Sequence, residues 1–162
     1  MRVGDRAPYC PCVPSIRPIA LAVIRRPGTG ELFVDEAVDP GTGRIFHRPA
    51  GGGIEFGETA SRTLERELLE EYALEITVGR QLGALESHFT YAGRPGHEIV
   101  LVHEARLAHP ADYEQARRAC LDQPHVVGVW RSPDEQTIPL YPGGLADLLE
   151  ADDVRQVSGD AS

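Results

Sequence analysis

The sequence predicts an α/β fold, and three observations carry that expectation. The run from Ile16 to Arg26 is mostly apolar and partly β-branched, as a buried strand requires. Thr59 to Ala73 contains neither Gly nor Pro and places Ala60, Leu64 and Leu68 at four-residue spacing, which is a helix pattern. Further strand-length segments, bounded by Gly- and Pro-rich turns, lie on both sides of that helix.

In chain order, residues 1–15 carry Gly4, Pro8, Pro11 and Pro14 and read as an irregular leader. Ile16 to Arg26 is the first strand, Pro27 to Gly30 a turn, and Glu31 to Val38 the second strand. After the turn Pro40 to Gly43 comes a short third strand, Arg44 to Arg48, and then a Gly-rich loop from Pro49 to Glu58. Thr59 is placed to cap the helix, although no Glu or Gln follows to complete a capping box. Leu74 to Tyr91 and Glu98 to Leu107 are expected as two strands joined by a turn from Ala92 to Gly96. Ala111 to Leu121 reads as a second helix, Val126 to Arg131 as a strand with the single Trp130, and Pro142 to Ala151 as a third helix burying Leu145, Leu148 and Leu149. Residues 16–151 form one domain, and the polar stretch 152–162 is expected to be a flexible tail.

At 162 residues, with 41% hydrophobic and 25% charged residues, the chain is of ordinary globular composition and long enough for one real core. The longest apolar run, Ile16 to Ile24, is interrupted by Arg17 and Pro18 and is far short of a membrane span. The stretch Met1 to Arg6 has no apolar signal-peptide core, so a cytoplasmic location is expected. The net charge of −9 disfavours a nucleic acid polymer as partner, because an acidic protein gains nothing from counterion release. A small anionic substrate stays compatible, provided a metal cation sits between it and the protein. Cys10, Cys12 and Cys120 are odd in number and lack CxxC spacing, which argues against a disulfide framework; Cys10 and Cys12 read as free thiols in the leader. All basic residues are Arg, and Lys and Asn are both absent, as a GC-rich genome would produce.

Two local features stand out together. Gly51, Gly52 and Gly53, with Gly57 close behind, provide backbone that a ligand or a neighbouring group can approach closely. On the following helix Glu67, Glu70 and Glu71 lie at i, i+3 and i+4 and crowd onto one face. Each like-charge pair costs roughly 0.2–0.5 kcal/mol unless it is neutralised. Arg66 reaches Glu70 at i+4 and Arg62 helps at the edge, but Glu67 and Glu71 have no helical partner of opposite sign. A hard divalent cation such as Mg²⁺, which takes carboxylates, waters and phosphates as ligands, would neutralise them. Alone, a Glu-rich face is most often a solvated face, and a Gly-rich stretch only a loop.

Their joint register decides between these readings. Gly52, five residues, Glu58, seven residues, Arg66-Glu67-Leu68, one residue, Glu70-Glu71, one residue, Ala73-Leu74 resembles the Nudix box. A chance match to its fixed glycine and charged positions is on the order of 10⁻⁷ per start at background frequencies. Ala73 departs from the family pattern, which has Gly there; either the helix ends differently or the left-handed conformation is strained by roughly 1–2 kcal/mol. Phe89-Thr90-Tyr91 and Gly96 to Val100 look similar to a stretch of some bacterial members.

The resemblance implies a Nudix-type α/β/α sandwich with a mixed central β-sheet, and Mg²⁺-dependent hydrolysis of a nucleoside diphosphate linked to another group, with Mn²⁺ as a substitute. It implies Glu67, Glu70, Glu71 and the carbonyl of Gly51 as metal ligands, Gly52 and Gly53 as the substrate-side loop, Arg66 as orienter of the carboxylates, and Glu58 as a brace between loop and helix. The general base is either Glu67 or Glu98, the latter reading equally as an exposed strand carboxylate. His97 should point to the opposite strand face from Glu98. His47 reads as structural or exposed, and Trp130 and Tyr91 as core aromatics. Nucleotide sugars such as ADP-ribose, (deoxy)nucleoside triphosphates and dinucleoside polyphosphates all fit as substrates, and a homodimer stays open on base rate. The alternative is a catalytically silent Nudix-fold nucleotide sensor, which should have lost box carboxylates; none is lost here. An isomerase or glycosyl-type hydrolase on the same fold is a third reading.

Overall fold

The computed structural model describes residues 15–159; the expectations for the leader, including Cys10 and Cys12, lie outside them. Strands β1 (Ile16–Ile24), β2 (Leu32–Val38), β3 (Ile45–Pro49) and β4 (Gly51–Gly53) precede helix α1 (Ala60–Tyr72). Then follow β5 (Ile76–Tyr91), β6 (Arg94–Leu107), β7 (Arg117–Ala119), β8 (Val127–Arg131) and helix α2 (Leu145–Gly159). The strands form two sheets, a mixed one in the order β4-β1-β6-β5 and an antiparallel one in the order β3-β2-β8-β7. In the mixed sheet β1 runs parallel to β6 and antiparallel to β4.

The unbroken apolar run Ile19 to Ile24 of β1 is explained by its central place. Ala20, Ala22 and Ile24 share a buried cluster with Leu64, Leu68 and Tyr72 of α1. Ile19, Leu21 and Val23 share another with Leu32, Val34 and Val129 of the second sheet and Leu145 and Leu149 of α2. Successive residues of a strand face opposite sides, so a strand covered on both must be apolar throughout. Among the described residues no helix is long and apolar enough to cross a membrane.

Helix α1 begins and ends within a residue of its expected bounds. Thr59 is the N-cap, its hydroxyl oxygen accepting from the Arg62 amide at 3.3 Å. Ala73 adopts the left-handed conformation, with φ 51° and ψ 37°. The amide of Ala73 donates to the Leu69 carbonyl at 3.0 Å, the single 5→1 bond of an αL cap, and the amide of Leu74 donates to the Leu68 carbonyl at 3.1 Å. The helix therefore ends as a Gly-capped helix does, with the Cβ strain tolerated. Ala73→Gly is expected to raise stability by about 0.5–1 kcal/mol, since relief of strain exceeds the added entropy of the unfolded chain. A thermal-unfolding midpoint unchanged or lowered in that variant would show that Ala73 is not strained.

Three expectations are corrected. The Pro49–Glu58 stretch is not all loop, because Gly51–Gly53 pairs with β1 in the register Leu21↔Gly51, Ala20↔Gly52, Ile19↔Gly53. Ala111 to Leu121 is not a helix. A 3-10 turn over Pro110–Glu114 gives way to β7, which pairs with β8. The carbonyl of Gln115 accepts from the Trp130 indole at 2.8 Å, and Tyr113 stacks on that ring at 5.8 Å, so tertiary pairing overrides local helix propensity. Finally, the third helix starts later than expected and runs past Ala151 to Gly159. Its extension is anchored by buried Asp152, which accepts from Arg80 Nη2 at 2.6 Å.

Candidate active site

Backbone spacing sets the centre of the site. Gly52 faces α1, and a Cβ built there would collide with the carboxylate of Glu67, so the acid occupies the space that a side chain would fill. Gly51 has φ +150°, and a Cβ on it would strike the Ala20 carbonyl oxygen of β1. Both glycines are therefore required by close approach, one to an acid and one to a neighbouring strand. Gly53 contributes its carbonyl, which accepts from Arg66 Nη2 at 3.2 Å.

Arg66 ties the loop to the helix. It makes a two-pronged pair with Glu58, Nε to Oε1 at 2.9 Å and Nη2 to Oε2 at 2.9 Å. Its Nη1 donates to Glu67 Oε1 at 2.8 Å and lies 3.4 Å from Glu70 Oε2. Glu58 Oε2 also accepts from the Thr63 hydroxyl at 2.9 Å. The Arg66 hydrogen bonds, with that of Thr63, hold the Glu58 carboxyl down at about 2, and the same pairing pushes the Arg66 guanidinium above its ordinary value. Arg66 thus links Glu58 to Glu67 of the helix. Glu70 is the outermost acid, with 62% of its side chain exposed.

Glu71 is the most constrained of the three helix acids. It is buried, and its Oε1 accepts from Gln123 Nε2 at 3.2 Å. Oε2 is buried with no hydrogen-bond partner. Burial, reinforced by the negative charges of Asp35, Glu67 and Asp122, pushes its carboxyl up to about 8. Asp35 on β2 accepts from the Tyr72 hydroxyl at 2.6 Å, and burial raises it to about 6. Buried carboxylates that raise one another in this way need either protons or a cation. The oxygen-only donor set of Glu67, Glu70 and Glu71 and the unpartnered Oε2 fit a hard divalent ion of the Mg²⁺ or Mn²⁺ type.

Sequence reasoning did not single out Asp35, Asp122 or Gln123. Each lies far from the box in the chain, and only sheet pairing and the turn before β8 bring them to Glu71. Cys120 donates its thiol to Asp122 Oδ1 at 3.0 Å, and burial raises that thiol to about 12. It is a buried proton donor beside the acids.

Glu98 is not an exposed strand carboxylate: it is buried at 4%. It pairs in register with Arg17, whose Nη1 lies 3.7 Å from Oε1, and Arg48 Nη2 donates to Oε2 at 3.4 Å. Its ion pairs are with these two arginines. His97 points away from Glu98, as strand alternation requires, and lies 3.0 Å from Glu86. His47 is structural: buried at 4%, it accepts from Arg131 through Nδ1 at 2.9 Å while Nε2 meets Glu36 at 3.3 Å. Trp130 packs edge-on against Phe33 at 5.3 Å, as a core aromatic, whereas Tyr91 is 37% exposed.

Residues 16–150 match the family model of the NUDIX domain, so the chain belongs to the NUDIX family and is by class a Nudix pyrophosphohydrolase. Among solved structures it is similar to the Escherichia coli ORF135 protein, at 24% identity and TM-score 0.59, covering 92% of this chain and 96% of that one. It is also similar to a NUDIX hydrolase from Nitrosomonas europaea, at 18% identity and TM-score 0.62, covering 86% and 90%. An ADP-ribose pyrophosphatase from Streptococcus suis matches at 16% identity and TM-score 0.56, covering 84% and 91%. At these identities the likeness is one of fold. No curated protein matches the sequence.

Proposed function

We propose that the protein hydrolyses the diphosphate linkage of a nucleoside diphosphate derivative, using Mg²⁺ with Mn²⁺ as a substitute. The observation that carries this reading is the buried, unpartnered Oε2 of Glu71, a carboxylate on which the negative charges of Asp35, Glu67 and Asp122 converge. Glu67, Glu70, Glu71 and the carbonyl of Gly51 would hold the ion. When bound, it supplies charge for phosphate oxygens and acidifies a coordinated water.

The chain's own residues then have distinct tasks. Water adds to one phosphorus, the bridging P–O bond breaks, and two phosphate-ended products leave. Glu67, held by Gly52 on one side and Arg66 on the other, takes the proton of the attacking water. Arg66 and Glu58 keep loop and helix in register, which preserves the positioning on which phosphoryl transfer depends. Gly52 and Gly53 let the substrate's phosphates approach backbone. Glu98 has both carboxylate oxygens directed at arginines, so it positions Arg17 and Arg48 for an anionic substrate rather than acting as base.

For Glu98→Gln the expected result is a raised KM of about tenfold, with the shape of the pH–rate profile kept. Loss of the acid limb of that profile would make Glu98 the base instead. The reading as a whole is tested by a product-release screen over nucleotide sugars, (deoxy)nucleoside triphosphates and dinucleoside polyphosphates, each with Mg²⁺, with Mn²⁺ and with chelator. ADP-ribose belongs in the screen because the Streptococcus suis neighbour is described as its pyrophosphatase. Turnover of at least one class, abolished by chelator, is expected. No turnover of any class, or turnover indifferent to chelator, would overturn the reading.

A further inference from the structure

From the outward end of the β5–β6 hairpin we infer that the protein carries a second metal site, of another chemical type: a surface site for Zn²⁺-class ions formed by Glu86, His88 and His97. Its ligands and its test are independent of the hydrolase reading. Glu86 and His88 are two residues apart on β5 and so share one face. His97 of β6 stands directly opposite His88 in the antiparallel register. The rings are 4.1 Å apart between centroids and nearly perpendicular, at 89°.

Both imidazoles are aimed at one carboxylate oxygen. His97 Nε2 lies 3.0 Å from Glu86 Oε1 and His88 Nε2 lies 3.5 Å from that same atom. One ligand atom from each of the three residues falls within 4.8 Å of the others. A tetrahedral ion with bonds of about 2.0–2.1 Å has its ligands about 3.3 Å apart, and two of the three edges, at 3.0 and 3.5 Å, bracket that length. The third closes by rotation of side chains that pack against little, since Glu86 and His88 are exposed and His97 is half-buried.

The donor set selects the ion. Two imidazole nitrogens and one carboxylate suit Zn²⁺, Ni²⁺ or Co²⁺ and do not suit Mg²⁺, which prefers oxygen throughout. With three protein ligands the fourth position falls to water. The ion would cross-link the outer ends of β5 and β6, replacing the tautomer-dependent His97–Glu86 hydrogen bond and the His88–Glu86 contact with coordination. The same hairpin holds Glu98 on its opposite face, so the surface site stiffens the strand that presents Glu98 to Arg17 and Arg48.

The test is calorimetric titration of the full chain with ZnCl₂ in excess Mg²⁺, which competes for oxygen donors and leaves imidazole free. One equivalent is expected whose affinity falls at least tenfold in His88→Ala and in His97→Ala, and which survives in His109→Ala. Zn²⁺ also raises the wild-type unfolding midpoint and leaves that of the two variants unmoved. Glu86→Gln, which keeps the side-chain shape, is expected to weaken the same equivalent. Zn²⁺ taken up by Cys10 and Cys12 would persist undiminished in His88→Ala and His97→Ala, and that result overturns the site. So does the absence of any Zn²⁺ equivalent in the wild type.

Discussion

Glu71→Gln is expected to lower divalent-metal-dependent turnover by about a hundredfold or more while making the metal-free protein harder to unfold at alkaline pH. The two effects share one cause. In the metal-free fold Glu71 is buried with one oxygen unpartnered, and its carboxyl titrates at about 8, against 4.5 for a free glutamate side chain. Between those values the folded chain holds a proton that the unfolded chain has released. Stability then falls as pH rises through that window, and it is fully retained only below it. Asp35, raised from 3.8 to about 6, adds a slope of the same sign over its own range. A neutral amide at position 71 removes the Glu71 contribution. At pH 5 the variant should match wild type, and above pH 8 it should be the more stable by about 1–3 kcal/mol, the cost of an unsatisfied buried polar group. Saturating Mg²⁺ should stabilise wild type more than the variant, because only wild type keeps the full ligand set. Thermal unfolding at several pH values with chelator, then with Mg²⁺, measures all of this. A wild-type-to-variant difference that is flat with pH, or turnover within a few-fold of wild type, would remove Glu71 from the metal centre.

Gly52→Ala should have an effect of similar size with almost no change in folding. The φ angle of Gly52 is not among the positive ones, so the backbone itself accepts alanine. The new methyl group, however, takes the place of the Glu67 carboxylate, which must swing away. Displacing a reacting group by roughly an ångström costs on the order of a hundredfold in rate. Turnover of the variant is therefore expected to approach that of Glu67→Gln, with global stability within about 1 kcal/mol of wild type. Gly51→Ala makes the contrast. There the methyl group meets the backbone carbonyl of Ala20, and φ is +150°, so β4 loses its pairing with β1 and stability drops. A fully active Gly52→Ala would show that Glu67 does not need the place it holds against the loop.

Much of the site could be read without coordinates because it is local. Gly52, Glu58, Arg66, Glu67, Glu70 and Glu71 fall within β4, the turn after it and the following helix, and helical spacing alone puts the last three acids on one face. The cap at Thr59, the buried face through Leu64 and Leu68, and the central strand signalled by Ile19 to Ile24 are local in the same sense. Even the departure at Ala73 was visible as a question, although its answer needed the backbone angles.

What chain order could not convey are the contacts made across long separations. Asp35 reaches Tyr72, Gln123 reaches Glu71, and Arg48 reaches Glu98 only because strands from different parts of the chain are laid side by side. Nothing in the spacing of residues near Asp35 distinguishes it from any acid on a half-exposed strand, and Glu98 reads the same way until the two arginines are in place. The division into two sheets, and the choice of strand over helix at Arg117–Ala119, depended likewise on a partner supplied by β8. Side-chain periodicity reports which face of an element is apolar; it carries no information about which distant element will cover it. The acids on α1 were therefore a property of local sequence, whereas the burial that leaves Glu71 in need of a cation came from the packing of the whole molecule.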